Sequence, residues 1–246
     1  MVRRDWVGGK QNIKRWRISG VALLWMLIGS PALMWACVMQ LGVAPGIAIA
    51  MVLMASSAPL NSVPAMVMMM GLNGALSLVV MVGATFLLPL TMPVIAFEFM
   101  NVRLDMSAWE MAGRLTAMLA SALVASVLCR RWIGTVRITA WKTRADGVVV
   151  ILMTVFAVAI MDGVTTLLIE NPSRILMITL LSFLANAVLQ LIGFGLFRSI
   201  GWKDALTLGF AGGNRNMGLI LAVLPATADP DITLYFALAQ FHMYVY

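Results

Sequence analysis

The chain has 246 residues, 62% of them hydrophobic and 11% charged, with a mean hydropathy of +0.96. Soluble domains carry about 25% charged residues, so this composition excludes an ordinary soluble domain and predicts an all-α polytopic membrane protein, with the lipid bilayer as its solvent. The formal charge of +7 does not point to nucleic acid, because the basic residues lie between hydrophobic runs, where topology needs them.

Residues 1–17 form a basic tail with Arg3, Arg4, Lys10, Lys14, Arg15 and Arg17, and no cleavage pattern follows a short apolar core. Eight hydrophobic segments then run at 18–42, 45–71, 74–97, 107–129, 147–169, 174–197, 203–226 and 231–246. The first seven each supply the ~20 residues of a span. The last has 16 and stops at Tyr246 without a polar flank.

The second segment contains Pro59 and Pro64 around Leu60-Asn61-Ser62-Val63. Proline removes a backbone donor and clashes with the preceding turn, so this span is expected to break near 57–64. Ser107-Ala-Trp-Glu110 reads as a capping box opening the fourth segment, with Glu110 and Arg114 as i,i+4 neighbours near its outer end. Asp162 lies about 24 Å above Asp146 along the fifth segment. It is a candidate coupling residue, carrying a proton or facing a cation, or it reaches the outer interface with Thr165 and Thr166. In the sixth, Thr179, Ser182, Asn186 and Gln190 fall on one face, which either lines a polar site or bonds neighbouring helices.

The seventh segment is interrupted by Gly212-Gly-Asn-Arg-Asn-Met-Gly218. Glycines permit unwinding and asparagines compete for backbone bonds, so a break is expected near 211–217. Unwound backbone at membrane depth survives only against protein or a water-filled cavity. An arginine there costs about 2.5–3.5 kcal/mol on insertion scales and usually marks function. In the last segment His242 reads as a polar contact rather than a ligand.

Strict alternation from a cytoplasmic tail places thirteen Lys and Arg residues inside and two, Arg103 and Arg174, outside. The expected location is therefore an inner (cytoplasmic) bacterial membrane, N-terminus cytoplasmic. The broken second and seventh spans then run in opposite directions, each in the middle of a triplet. That pattern is the signature of an inverted-repeat secondary transporter with two discontinuous crossing helices.

The stretch Ala211-Gly-Gly213-Asn-Arg215-Asn216-Met-Gly218, with Pro59-Leu60-Asn61-Ser62 and Asn73-Gly-Ala75-Leu76-Ser77, resembles the bile acid:sodium symporter family. The resemblance implies ten spans in two inverted repeats of five, of which about eight are present here. Residues 18–98 would form a partial first repeat (family spans 3–5) and 107–246 the second (spans 6–10, the last incomplete). The chain then reads as a fragment or a shortened reading frame. It also implies a core of broken helices rocking against a panel, of which the fourth and fifth spans here are part.

At the family's two sodium sites the match is partial. Ser77 matches a serine hydroxyl near one sodium, and Asn216 the asparagine at the crossing. Met81 stands where a threonine is usual, Ala211 where a shared glutamate is, and Arg215 where a glutamine is. A carboxylate is lost and a permanent cation gained, and a guanidinium only donates. Sodium coupling is therefore not expected.

Arg215 either takes the place of a sodium ion on the carbonyls of the first half-helix, binds the substrate's anionic group, or only stiffens the crossing. The candidate substrate- or ion-binding residues are Asn61, Ser62, Ser77, Asn186, Gln190, Gly213, Asn214, Arg215 and Asn216, with Ser77 a candidate sodium ligand. No other metal or cofactor is expected. Cys37 and Cys129 lie apart in apolar spans, and the 21 methionines suit irregular packing better than copper.

The expected function is secondary transport of a small organic anion by alternating access. A non-transporting or fragmentary protein of the same fold, or an arsenite-type or auxin-type carrier, is the alternative. An enzyme is not expected, since an intramembrane aspartyl protease needs two facing aspartates and Asp162 has no partner in the spans.

Overall fold

Long runs of apolar residues with glycine or proline at their ends fold here into helices joined by short turns. The computed structural model describes residues 16–99, 106–161, 163–225 and 227–245. Helix α1 (Trp16–Leu41) ends on Gly42 in the left-handed region, φ +60°. It carries a π turn at Trp25–Gly29, which no residue pattern in this apolar run signals. Helix α2 (Pro45–Ser56) and α3 (Val63–Met69) flank the first break, and α4 (Gly74–Val94) follows, capped by the Asn73 side chain. Helix α5 (Ala108–Ile133) opens as expected: Ser107 Oγ accepts from the Glu110 N–H, and Glu110 pairs with Arg114 at 2.6 Å.

A short helix α6 (Thr135–Ala140) precedes α7 (Lys142–Ile160) and α8 (Val164–Glu170). The expected fifth segment therefore divides around Met161, with Gly163 at φ +75°. Then come α9 (Pro172–Phe197), α10 (Trp202–Gly213), α11 (Met217–Leu221) and α12 (Pro230–Val245).

Among the described residues, five helices are long and apolar enough to cross a membrane: Trp16–Leu41, Gly74–Phe97, Ala108–Ile133, Thr143–Glu170 and Pro172–Ile200. The other three hydrophobic segments are the interrupted pairs α2/α3 and α10/α11 and the 16-residue α12. Little of α5 or α7 is buried, and apolar side chains such as Val124, Val127, Val148, Ile151 and Val155 are exposed. Helices greasy on all faces belong in lipid. The fold is that of an all-helical integral membrane protein.

The packed interior forms two main apolar clusters. One joins α2, α9 from Ile175 to Leu189, α11 and α12 with Met34 and Val38 of α1, the end of α4 and the start of α5. The other joins Ala22 and Met26 of α1 with α3, α10, Val80 and Phe197. Each broken segment thus places its two halves in different clusters. The first leads from α2 in one to α3 in the other, and the second leads back from α10 to α11. The two broken segments therefore run in opposite directions, with their breaks between the clusters.

Helices α9 and α10 approach closely because glycines line the seam. A Cβ at Gly193 would lie 3.2 Å from Gly209 Cα, and one at Gly209 would lie 2.7 Å from Gln190 O and 3.0 Å from Phe194 N. Small residues let membrane helices pack backbone to backbone. At the end holding α12's N-terminus, Arg174 pairs with Asp231 at 2.5 Å. The Asp229 carboxylate lies against Gly46 in the first turn of α2, where the helix dipole favours negative charge.

Gly209→Ala should force α9 and α10 apart and cost about 1–3 kcal/mol, as overpacking does. Gly195→Ala, with nothing within 4 Å of the added carbon, should be neutral or slightly stabilising. Thermal midpoints of the two purified variants in one detergent check the contrast.

Candidate functional site

The two breaks meet. Leu60 N–H donates to Asn214 O at 2.9 Å and Asn216 N–H to Ala58 O at 2.8 Å, forming an isolated antiparallel bridge between Pro59 and Arg215. In this pairing the flanking residues make the bonds. Proline, with no N–H to give, therefore costs the bridge nothing at position 59. Backbone that cannot be helical at this depth is thus satisfied by the other break.

Arg215 points into the interior and is fully buried. Its Nε donates to Gly212 O at 2.6 Å, and Nη1 to Ser57 O at 2.7 Å and Met26 O at 3.2 Å. Nη2 donates to Ser30 Oγ at 2.7 Å. Gly212 and Ser57 lie at the C-terminal ends of α10 and α2, where helices carry free carbonyls and partial negative charge.

Met26 is freed differently. The Ser30 N–H reaches back five residues to Trp25 O, and Pro31, next along, has no N–H. The Met26 carbonyl is left to side chains: Ser30 Oγ at 2.9 Å and Arg215. Ser30 Oγ also lies 2.9 Å from Ala55 O. Among the described residues the two ion pairs lie elsewhere, so carbonyl dipoles and one hydroxyl compensate this cation.

The predicted residues divide into three groups. Asn186, Gln190, Gly213, Asn214 and Asn216 gather around Arg215. Asn186 Nδ2 donates to Gly213 O at 3.2 Å, and Gln190 Nε2 donates to Asn186 Oδ1. Asn214 Nδ2 bonds Phe210 O at 3.0 Å, and Asn216 Oδ1 caps α11 by accepting from Leu219 N–H at 3.4 Å. A Cβ at Gly213 would lie 3.0 Å from Asn186 O, so that glycine lets the polar face of α9 reach the break. In the second group, Asn61 and Ser62 are exposed and form no part of the cage. Ser77 stands apart on α4, buried, with its Oγ unpartnered among the described residues. Asp162, in the third group, lies outside the described residues.

Other expectations have plain outcomes. Ser182 and Thr179 bond carbonyls of their own helix. Arg114 pairs with Glu110 and also bonds Val223 O at 3.3 Å, holding α5 to the end of the second broken segment. The polar contact expected of His242 is not found: the ring is buried edge-on to Phe183, and neither nitrogen has a hydrogen-bond partner among the described residues. No cluster of His, Cys, Asp and Glu suited to a metal occurs among the described residues.

The cage residues missed in the sequence are Ser30, Met26 and Ser57. Ser30-Pro31 inside an apolar span was the available signal, since proline orphans a carbonyl one turn back. Two of the three contribute backbone oxygens, which have no residue signature.

No family model matches the chain, and no curated protein matches it.

Ser30→Ala should cost about 1–3 kcal/mol, the usual penalty for stranding a buried polar partner. Ser57→Ala should cost less, because Ser57 serves Arg215 through its carbonyl, while its hydroxyl bonds the nearby carbonyls of Met54 and, more weakly, Ala58. Guanidinium-free unfolding curves in detergent, such as SDS titration, rank the two.

Proposed function

We propose that this protein is a secondary carrier that moves a small organic anion by alternating access, of the bile acid:sodium symporter type. The observation that carries the reading is the antiparallel meeting of two oppositely directed broken helices around the buried Arg215. Discontinuous helices paired at mid-depth are how secondary transporters build a site from helix ends. The opposite directions of the two broken segments support an inverted repeat, with the eight hydrophobic segments as spans. The motif residues Gly213, Asn216 and Gly218, and Asn73 at the start of α4, support the same family. Asn73 and Asn216 cap their helices alike, each accepting from the N–H three residues on.

The geometry also favours one role for Arg215. A residue that captured the substrate's anionic group would keep its donors free. Here Nε, Nη1 and Nη2 each donate to oxygens of the protein. Those oxygens are the ligands a monovalent cation would otherwise take. Arg215 therefore acts as a tethered cation in place of a sodium ion, and the carrier runs without sodium. Anion binding falls to the remaining polar groups and to the lightly packed side of the bundle, where Phe156 of α7 approaches Gly218.

Proteoliposomes test this with an organic-anion panel in counterflow. Uptake of at least one anion should be the same in sodium and in choline, and Arg215→Ala should abolish it or make it depend on sodium. Sodium-dependent uptake in the native protein, retained in full by Arg215→Ala, would sink the reading. No binding or movement of any anion would favour a non-transporting protein of this fold.

A further inference from the structure

The cations of this protein are treated differently at its two ends. At one end both described arginines of the helix termini are paired: Arg114 with Glu110 and Arg174 with Asp231. At the other end, the starts of α1, α4 and α10 gather around a cleft lined by Ile18, Ser19, Asn73, Leu76 and Asp204. The C-terminus of α5 returns to this same end, because its first turns pack with Leu88 and Met92, far along α4. Arg17, Arg130, Arg131, Arg198 and Lys203 therefore lie at this end, and none is in an ion pair among the described residues. Asp204, a carboxylate lining the cleft, accepts from Asn73 Nδ2 at 2.7 Å instead.

Arg198 is the most organised of these cations. Its guanidinium lies 5.6 Å from the Phe194 ring centre and 5.3 Å from that of Trp202, and the two rings meet edge to face at 4.9 Å. The rings fix the guanidinium, and its N–H groups have no acceptor among the described residues. A fixed guanidinium with free N–H groups suits bidentate binding of a phosphate. Trp16, Trp132 and Trp202 are exposed at the same end, and tryptophan prefers the headgroup level of a bilayer.

We propose that the exposed cluster of Arg198, Trp202 and Lys203 binds the phosphate of an anionic phospholipid in the adjoining leaflet. Charge complementarity selects the lipid: this end presents unpaired cations, and zwitterionic headgroups carry no net charge to match them. The exposed Trp202 ring, 58% accessible, supplies the flank on which the glycerol and upper acyl chain rest. The site does not depend on what the protein transports, and it orients this end toward the more anionic leaflet.

Native mass spectrometry tests it on protein released from nanodiscs of equal phosphatidylglycerol and phosphatidylcholine. The native protein should retain phosphatidylglycerol in preference. Arg198→Gln should reduce that preference about fivefold, the loss of one basic contact near a headgroup. Arg198→Lys should keep part of it, and Arg174→Gln, at the opposite end, should leave it unchanged. Equal retention of both lipids by the native protein overturns the proposal. So does a preference that survives intact in an Arg198→Gln/Lys203→Gln double variant.

Discussion

A buried guanidinium with carbonyl oxygens for company is the constraint around which this fold is arranged. Arg215 cannot shed its charge under ordinary conditions, and it lies where water does not reach. Its environment must therefore supply acceptors, and three separate segments do so. Two helices end beside it, so that their last carbonyls face inward. A third, α1, is wound one residue out of register to release another. Each of these departures from regular helix would be costly in isolation. Together they form a closed set, in which every irregularity answers a donor or acceptor created by another.

The bridge between Pro59 and Arg215 has a second consequence for packing. It fixes the two breaks at a common depth, so the apolar halves on either side sort into separate clusters. The polar layer and the divided core are then two views of one arrangement. The glycines of α9 and α10 belong to it as well. Without the close seam at Gly209 and Gly213, Asn186 would not reach the carbonyl at the end of α10.

Much of this could be read from the residues. Pro59 and Pro64 mark the first break, and Gly212-Gly-Asn-Arg-Asn marks the second, because proline and glycine act locally through backbone geometry. The spacing of Asn186 and Gln190 puts them on one helix face, and in the structure that face meets the end of α10. The partners of Arg215 were less accessible. A backbone carbonyl is freed by register, as at Met26, or by a helix ending, as at Ser57, and any residue type can supply it. Asn61 and Ser62 show the converse. Their side chains suit ion binding, yet the turn they occupy directs them to the surface, and only three-dimensional placement decides that.

The reach of Arg215 along the chain bears on how the protein is made. Apart from Gly212, its acceptors lie 158 to 189 residues earlier. Met26, Ser30 and Ser57 are synthesised and enter the bilayer long before the arginine exists. Until the seventh hydrophobic segment arrives, their polar groups must be held by water, by the translocation machinery or by one another. The arginine, in turn, enters at an energetic loss that only those distant oxygens reverse. The polar layer therefore closes only once the seventh hydrophobic segment has joined the others, long after its oxygen ligands were made.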